Sequence, residues 1–566
     1  MTSPAFLLGP LAAASCPVKT QNSFNPLLEY ARTGRPPVSS LAGETHRTQV
    51  FEYLIARHGD LVRDLRGVVD SQARAKACLK AMGDGVAIIL DAELPPDYDN
   101  HRSGVADVLL RSEDETQVGY YPALIRSHNI LAGISEGEDA QLVSCLAKPF
   151  KDDAHREGFR YRGNTQSADM LHLAHLWYLL NAAGFASQPW AANIGLDQYH
   201  PGHCCAIAWV DLRAKQLRAF SHTADQRWKK YAPLSRYQHE HRFRVRVATH
   251  ALAQTHPEDP AELVASPVKI DECATCEWWP SCEPHLVDDI SVKIERSPLD
   301  AREIMSLRTL GVSTIADLAD ADLETLLPSY LPMVSHRSGA ETRLRLAAHR
   351  GRLMVEGVSL ERLTTGEIEM PSAPVEIDID IETSASNYAY LWGFLVHDTR
   401  TGSPPTYHCV SQFTEMTPRR ELKLADEAAR WLKALVDSLG DVPVVVWHYS
   451  NYETLTINRL ARVGGFGALA WLQGYVQKSF VDLLPVVRQH FFGVDGLGLK
   501  VVASSGAGFS WRDVDPSGLN SQTWAHDAIH APTVELRQAA KRRTLEYNED
   551  DVRATWALRN WMRTLT

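Results

Sequence analysis

Residues 374–384 read PVEIDIDIETS. Ile377, Ile379 and Ile381 alternate with Asp378, Asp380 and Glu382. A period of two belongs to a β-strand, so the isoleucines share one face and the three acids the other. Like charges repel at that spacing, and an ordinary exposed strand face rarely collects three carboxylates. A bound divalent cation removes the repulsion, and Mg2+ and Mn2+ prefer such oxygen donors. The alternative reading is a solvated edge strand.

Two further acidic sites follow along the chain. Residues 441–463, DVPVVVWHYSNYETLTINRLARV, read as a buried strand, a short loop and a helix, with Glu453 at the loop–helix junction. Residues 543–562, RTLEYNEDDVRATWALRNWM, read as a terminal helix. Tyr547 and Asp551 are four apart there and share one face.

The order D-x-E, then H-x4-E, then Y-x3-D resembles the DEDD exonucleases of the DnaQ-like, RNase H-fold superfamily, and the tyrosine suggests the DEDDy branch. DIDIET, HYSNYE and YNEDDV look like the YprB-like RNase H domain, over roughly residues 374–565. The resemblance implies that Asp380, Glu382, Glu453 and Asp551 are metal ligands and that Tyr547 orients or activates the attacking water. Asp378 competes with Asp380 for the first position, and DIET fits the pattern better from Asp380. Glu453 departs from the usual aspartate by one methylene. Asp482 is a supporting acid, and Lys500 a phosphate-contact candidate. The implied chemistry is hydrolysis with two Mg2+ or Mn2+ ions about 4 Å apart, clamping the scissile phosphate.

A second cluster lies at 271–284, DECATCEWWPSCEP. Cys273, Cys276 and Cys282 are spaced C-x2-C-x5-C, and zinc sites and cubane iron–sulfur clusters normally take four protein ligands. The pattern resembles the iron–sulfur RecB-like nucleases, including the CRISPR-associated exonucleases and AddB-type helicase–nucleases. In those a 4Fe–4S cluster staples the two ends of the domain, which makes Cys16 the fourth ligand. The alternative is zinc with another ligand such as His285. Cys204 and Cys205 are adjacent and less suited, and Cys78, Cys145 and Cys409 read as buried thiols.

That family carries a PD-(D/E)xK site. Its equivalents are His46 in LAGETHRTQVF and Asp107 in SGVADVLLR. Leu124 and Arg126 stand at the acid-x-Lys pair, and His172 and Leu176 at the Q-x3-Y helix. Arginine stays charged, so no neutral amine assists a water. The N-terminal site is therefore read as degenerate.

The 566 residues exceed one ordinary domain. The fold class is α/β multidomain. Residues 1–285 form a PD-(D/E)xK-like α/β domain with an iron–sulfur clip, 286–370 a helical segment, and 371–566 an RNase H-like α/β domain; EMPSAP (369–374) is the linker. In IMSLRTLGVSTIADLADAD (304–322) a helix ends near Gly311 and another starts at Thr314, with Asp317 completing a capping-box variant. This is helix-hairpin-helix-like, which offers backbone amides to phosphate, or else a plain hairpin.

Apolar residues make up 45% and charged residues 22%, as in soluble globular proteins. No apolar run has the length of a membrane helix. The start, MTSPAFLLGPLAAASC, has no Lys or Arg before Lys19, so it reads as cytoplasmic rather than as a signal. A net charge of −11 does not favour a nucleic-acid binder. Basic runs at 236–250, 335–352 and 541–543 are either phosphate footprints or solvated helix faces. Taken together, the sequence predicts a metal-dependent nuclease, a 3′-to-5′ DNA exonuclease of repair or end processing, with a helicase as a possible partner. The alternatives are a non-catalytic nucleic-acid-binding scaffold and an RNA- or hybrid-directed nuclease.

Overall fold

A computed structural model describes residues 6–28, 38–113, 118–134, 140–156, 158–162, 167–199, 204–221, 227–254, 264–294, 299–464, 467–515 and 517–566. The isoleucine–acid strand runs over Val375–Thr383, at the centre of a five-stranded sheet. The sheet order is Thr406–Ser411, Ala389–Asp398, Val375–Thr383, Val444–His448, Phe480–Asp482. The first three strands are antiparallel and the last two join in parallel. A central position rules out the solvated edge strand.

The alternation works as read. Ile377, Ile379 and Ile381 are buried with Leu424, Ala428, Ile457, Leu460 and Leu472. These partners come from the helices Pro418–Leu439, Tyr452–Gly464 and Ala468–Ser479. Each isoleucine contributes about 1.5–3 kcal/mol by leaving water. The opposite face meets the C-terminal helix Val534–Arg563.

Four acids stand on that face, and they divide into two pairs. Glu376 and Asp378 are taken by arginines of the helix. Arg559, with 0% of its side chain exposed, bonds both oxygens of Asp378 and lies 3.0 Å from Glu376 Oε2. Arg563 donates to Glu376 Oε1 at 2.6 Å. Burial pushes the Asp378 carboxyl up to about 6, with Arg559 pulling it back. Asp378 is thereby engaged as an ion-pair partner of Arg559. The second pair, Asp380 and Glu382, is left facing the middle of the same helix.

The chain divides into two compact units, and the central strand belongs to the second: Lys293–Leu299, Gly311–Leu326 and Glu341–Thr566. The first comprises Met1–Val292, Asp300–Leu310 and Leu327–Ala340, so residues 286–370 are shared between the two. The first unit holds an eight-stranded mixed sheet: Val62–Asp64, Ile88–Asp97, Arg102–Arg111, Tyr120–Ile125, Trp190–Tyr199, Cys204–Asp211, Leu142–Cys145, His155–Arg156. The helix Ser167–Ala182 packs Leu173, Leu176 and Leu180 into one of its cores.

Helices occupy Ala301–Thr309, Ile315–Asp320, Leu323–Met333 and Ala340–Val355. Thr314 caps the second of these, with Asp317 completing the box. Gly311 turns the chain at φ 86°, where a side chain would be strained. The amides of Ser313 and Thr314 both donate to Asp317 Oδ2, at 3.0 and 2.8 Å. These two amides are used within the turn. Among the described residues no helix is long and apolar enough to cross a membrane.

Replacing Arg559 by Ala leaves the buried Asp378 carboxylate unpaired and Glu376 with Arg563 alone, and the loss expected is about 3–5 kcal/mol. Urea unfolding of Arg559→Ala against the parent measures it. A loss below 1 kcal/mol would contradict the ion-pair account.

Candidate functional site

Asp380 and Glu382 project from the central strand, and Asp551 projects from the C-terminal helix. One oxygen of each lies within 4.8 Å of the others. Among the described residues this is the one such group of three or more His, Cys, Asp or Glu side chains. Burial raises all three carboxyls; neighbouring acids add to it at Asp380 and Glu382, while Lys500, Trp511 and Tyr547 pull Asp551 back. Glu382 reaches about 7, with Asp551 as the chief charged cause. Asp380 is pushed well above the usual carboxylate range, with Glu382, Asp551 and Glu453 all contributing.

Each acid is held by a donor. Asn548 Nδ2 donates to Asp380 Oδ2 at 2.6 Å, and Ser521 Oγ donates to Glu382 Oε2 at 2.7 Å. Trp511 Nε1 donates to Asp551 Oδ1 at 2.7 Å. Lys500 Nζ donates to Tyr547 Oη at 2.7 Å and stands 3.8 Å from Asp551 Oδ1. Tyr547 lies one turn before Asp551, and burial with the surrounding acids raises its phenol.

Glu453 is not part of the 4.8 Å group. It sits at the start of the helix Tyr452–Gly464, only 4% exposed, with Oε2 lacking a hydrogen-bond partner and 3.6 Å from His448 Nδ1. Burial raises its carboxyl, and His448 pulls it down. Asp482 holds the preceding loop rather than facing the trio. Its Oδ1 accepts from Ser450 N and Leu484 N, both at 2.9 Å, and Ser450 is held at φ 79°.

The donor set fits a hard divalent cation. Three clustered, desolvated carboxylates with one nearby lysine carry uncompensated negative charge, and an orphaned carboxylate oxygen on Glu453 stands within electrostatic reach. Oxygen-only ligation suits Mg2+ or Mn2+ rather than a thiolate metal.

Sequence reading missed Asn548, Trp511 and Ser521. Asn548 is 0% exposed and bridges two partners, since its Oδ1 accepts from Tyr407 Oη at 2.7 Å. That bond fixes the amide, so Nδ2 points at Asp380. The room for it comes from Gly393, where an added Cβ would sit 1.8 Å from Asn548 Oδ1. A detectable signal existed: Asn548 is three residues before Asp551, on the same helix face.

In the N-terminal unit the sequence-predicted residues meet arginines. Asp107 Oδ1 accepts from Arg47 Nε at 2.7 Å, and its Oδ2 from Ile125 N at 2.8 Å. Arg47 and Arg74 both bond Asp91. Arg126 Nε donates to Asp169 at 2.6 Å, and its Nη2 is 3.4 Å from His172 Nδ1. His46 is buried, and burial lowers its pKa. Leu124 and Leu176 are core residues. Asp107 is thus neutralised by a guanidinium where a metal site would need it open.

Cys16, Cys273, Cys276 and Cys282 line one cavity, with Trp278, Trp279 and Leu286 among its walls. Cys16 N donates to Glu272 Oε2 at 2.9 Å, and Lys19 pairs with Glu277 at 2.9 Å, joining the two segments. Burial, with the Cys16, Cys276 and Cys273 thiols near it, pushes Cys282 up to about 11. Cys78 is buried as expected, but Cys145 and Cys409 are only partly so.

Some cations of the basic runs are paired. Arg244 bonds Glu240 and Ser15 O, Arg345 bonds Glu324 and Glu341, and Arg543 bonds Asp513.

A family model described as RNase_H superfamily matches residues 378–563. That range contains Asp380, Glu382, Glu453, Tyr547 and Asp551. The chain therefore carries a C-terminal RNase H-like domain, a fold of nuclease type. No curated protein and no solved structure matches the chain.

Asn548→Ala is expected to weaken Mn2+ binding about 10–100-fold while the fold is kept, because the orienting bond to Asp380 is lost. Titration calorimetry with circular dichroism measures both. Unchanged affinity would contradict the orienting role.

Proposed function

We propose that this chain is a metal-dependent nuclease whose chemistry resides in the RNase H-like domain, trimming DNA from the 3′ end in repair or end processing. The observation that carries the reading is the Asp380–Glu382–Asp551 trio inside the matched region. In this reading Asp380, Glu382 and Asp551 hold divalent ions, with Glu453 completing the set. The bound ions would supply an activated water and charge stabilisation of the leaving oxygen. Tyr547 keeps its proton and, anchored by Lys500, orients groups at the reacting phosphate. Asp482 keeps the loop that carries Glu453 in place.

The N-terminal unit is read as a degenerate PD-(D/E)xK-type domain, supported by the Arg47–Asp107 pair. Its four cavity-lining cysteines are read as ligands of a 4Fe–4S cluster, supported by their gathering around one cavity from segments far apart in sequence. Such a cluster would clip residue 16 to residues 273–282 and offset chain entropy.

The test is degradation of end-labelled single- and double-stranded DNA, RNA and hybrid, with Mg2+ or Mn2+. Stepwise loss from the DNA 3′ end is expected from the parent and from Asp107→Ala, and none from Asp380→Asn. Cleavage that survives Asp380→Asn would contradict the assignment, and preference for RNA or hybrid would replace the DNA substrate.

Protein prepared without air should be brown, and Cys276→Ala should bleach it. A colourless parent, with zinc found by elemental analysis, would overturn the cluster.

A further inference from the structure

Strands Leu217–Ser221 and Arg227–Tyr231 form a separate two-stranded antiparallel ribbon in the N-terminal unit. Arg218 lies opposite Lys230, and Phe220 opposite Trp228. Residues directly opposite in an antiparallel pair point to the same side. Arg218, Phe220, Trp228 and Lys230 therefore share one face.

That face is basic and aromatic. Trp228 is 47% exposed, the one tryptophan among the exposed large apolar side chains of the described residues. Its ring meets the Phe220 ring edge-on at 5.7 Å, and the Arg218 guanidinium lies 5.2 Å from its centroid. Arg218 and Lys230 are exposed, and the two strands hold four cations and no acid. Neither Arg218 nor Lys230 makes an ion pair among the described residues. An exposed tryptophan is costly unless something covers it, and Phe220 fixes its ring as a flat platform.

We propose that this ribbon binds single-stranded nucleic acid, with a base stacking on Trp228 and adjoining phosphates meeting Arg218 and Lys230. Two features favour this occupant. Local positive charge on a chain of net −11 complements phosphate, and a rigid aromatic face accepts any base. The proposal rests on the nuclease reading for its choice of polymer, yet the surface lies apart in sequence from every residue given to that chemistry.

The test is fluorescence anisotropy of labelled oligo-dT with the full-length chain in EDTA, where cleavage is absent. Trp228→Ala is expected to weaken binding about ten- to a hundredfold. Trp228→Phe should restore most of the affinity, which a merely structural role would not do. Arg218→Ala with Lys230→Ala should lower the slope of log K against log salt by about 0.7 per lost contact. Cleavage of very short oligonucleotides is measured in parallel with metal added, and circular dichroism checks folding. Unchanged affinity in folded Trp228→Ala, with cleavage intact, would overturn the ribbon site and leave the nuclease reading standing. Equal loss in Trp228→Phe would also overturn it. Binding of a labelled poly-glutamate peptide in place of the oligonucleotide would assign the face to an acidic protein segment and overturn the proposal. Absence of both binding and cleavage would defeat the nuclease reading together with this one.

Discussion

Arg559 carries its charge in the interior between Asp378 and Glu376, and much of the C-terminal domain is arranged around it. Removing three ionic groups from water is expensive, and hydrophobic residues in their place would often be as stable. What the pair supplies is register. It allows one placement of the C-terminal helix along the central strand. A slip of one turn would leave charges buried without partners. With that register set, Asp551 and Asn548 arrive opposite Asp380 and Glu382, two residues further along the same strand face. The structural acids thus set the position of the candidate functional ones.

The candidate site is built on opposing tendencies. Burial and mutual repulsion raise its carboxyls, while Asn548, Ser521, Trp511 and Lys500 each give a donor or a charge. These contacts position the three carboxyls, and the one nearby cation, Lys500, offsets only part of their charge. A cluster of raised, desolvated carboxyls is the kind of donor set that a small divalent cation would relieve by holding them ionised. The N-terminal unit shows the reverse arrangement. Its acids, Asp107 and Asp91, are covered by Arg47 and Arg74, which leaves them little to offer a metal.

Much of this was legible in the sequence, for local reasons. Strand alternation separated isoleucines from acids, and helical spacing put Tyr547 and Asp551 together. The cap at Thr314 and the gathering of Cys16 with Cys273, Cys276 and Cys282 around one cavity could also be anticipated. The remainder depended on partners distant along the chain. Asp378 could be told from Asp380 only through Arg559, 181 residues away. The pairing of Asp107 with Arg47 is likewise a tertiary fact. The exposed ribbon went unread because RWKKY shows no pattern until its pairing with Leu217–Ser221 places Trp228 beside Arg218 and Phe220.

The central claim is that Asp380, Glu382 and Asp551 form a divalent-metal site. Anomalous X-ray diffraction from crystals grown with Mn2+ tests it most directly. The account predicts a manganese peak bridging these three carboxylates, with Glu453 turned toward a second peak nearby. A well-ordered site with no manganese there, or manganese bound instead at Asp107, would contradict it.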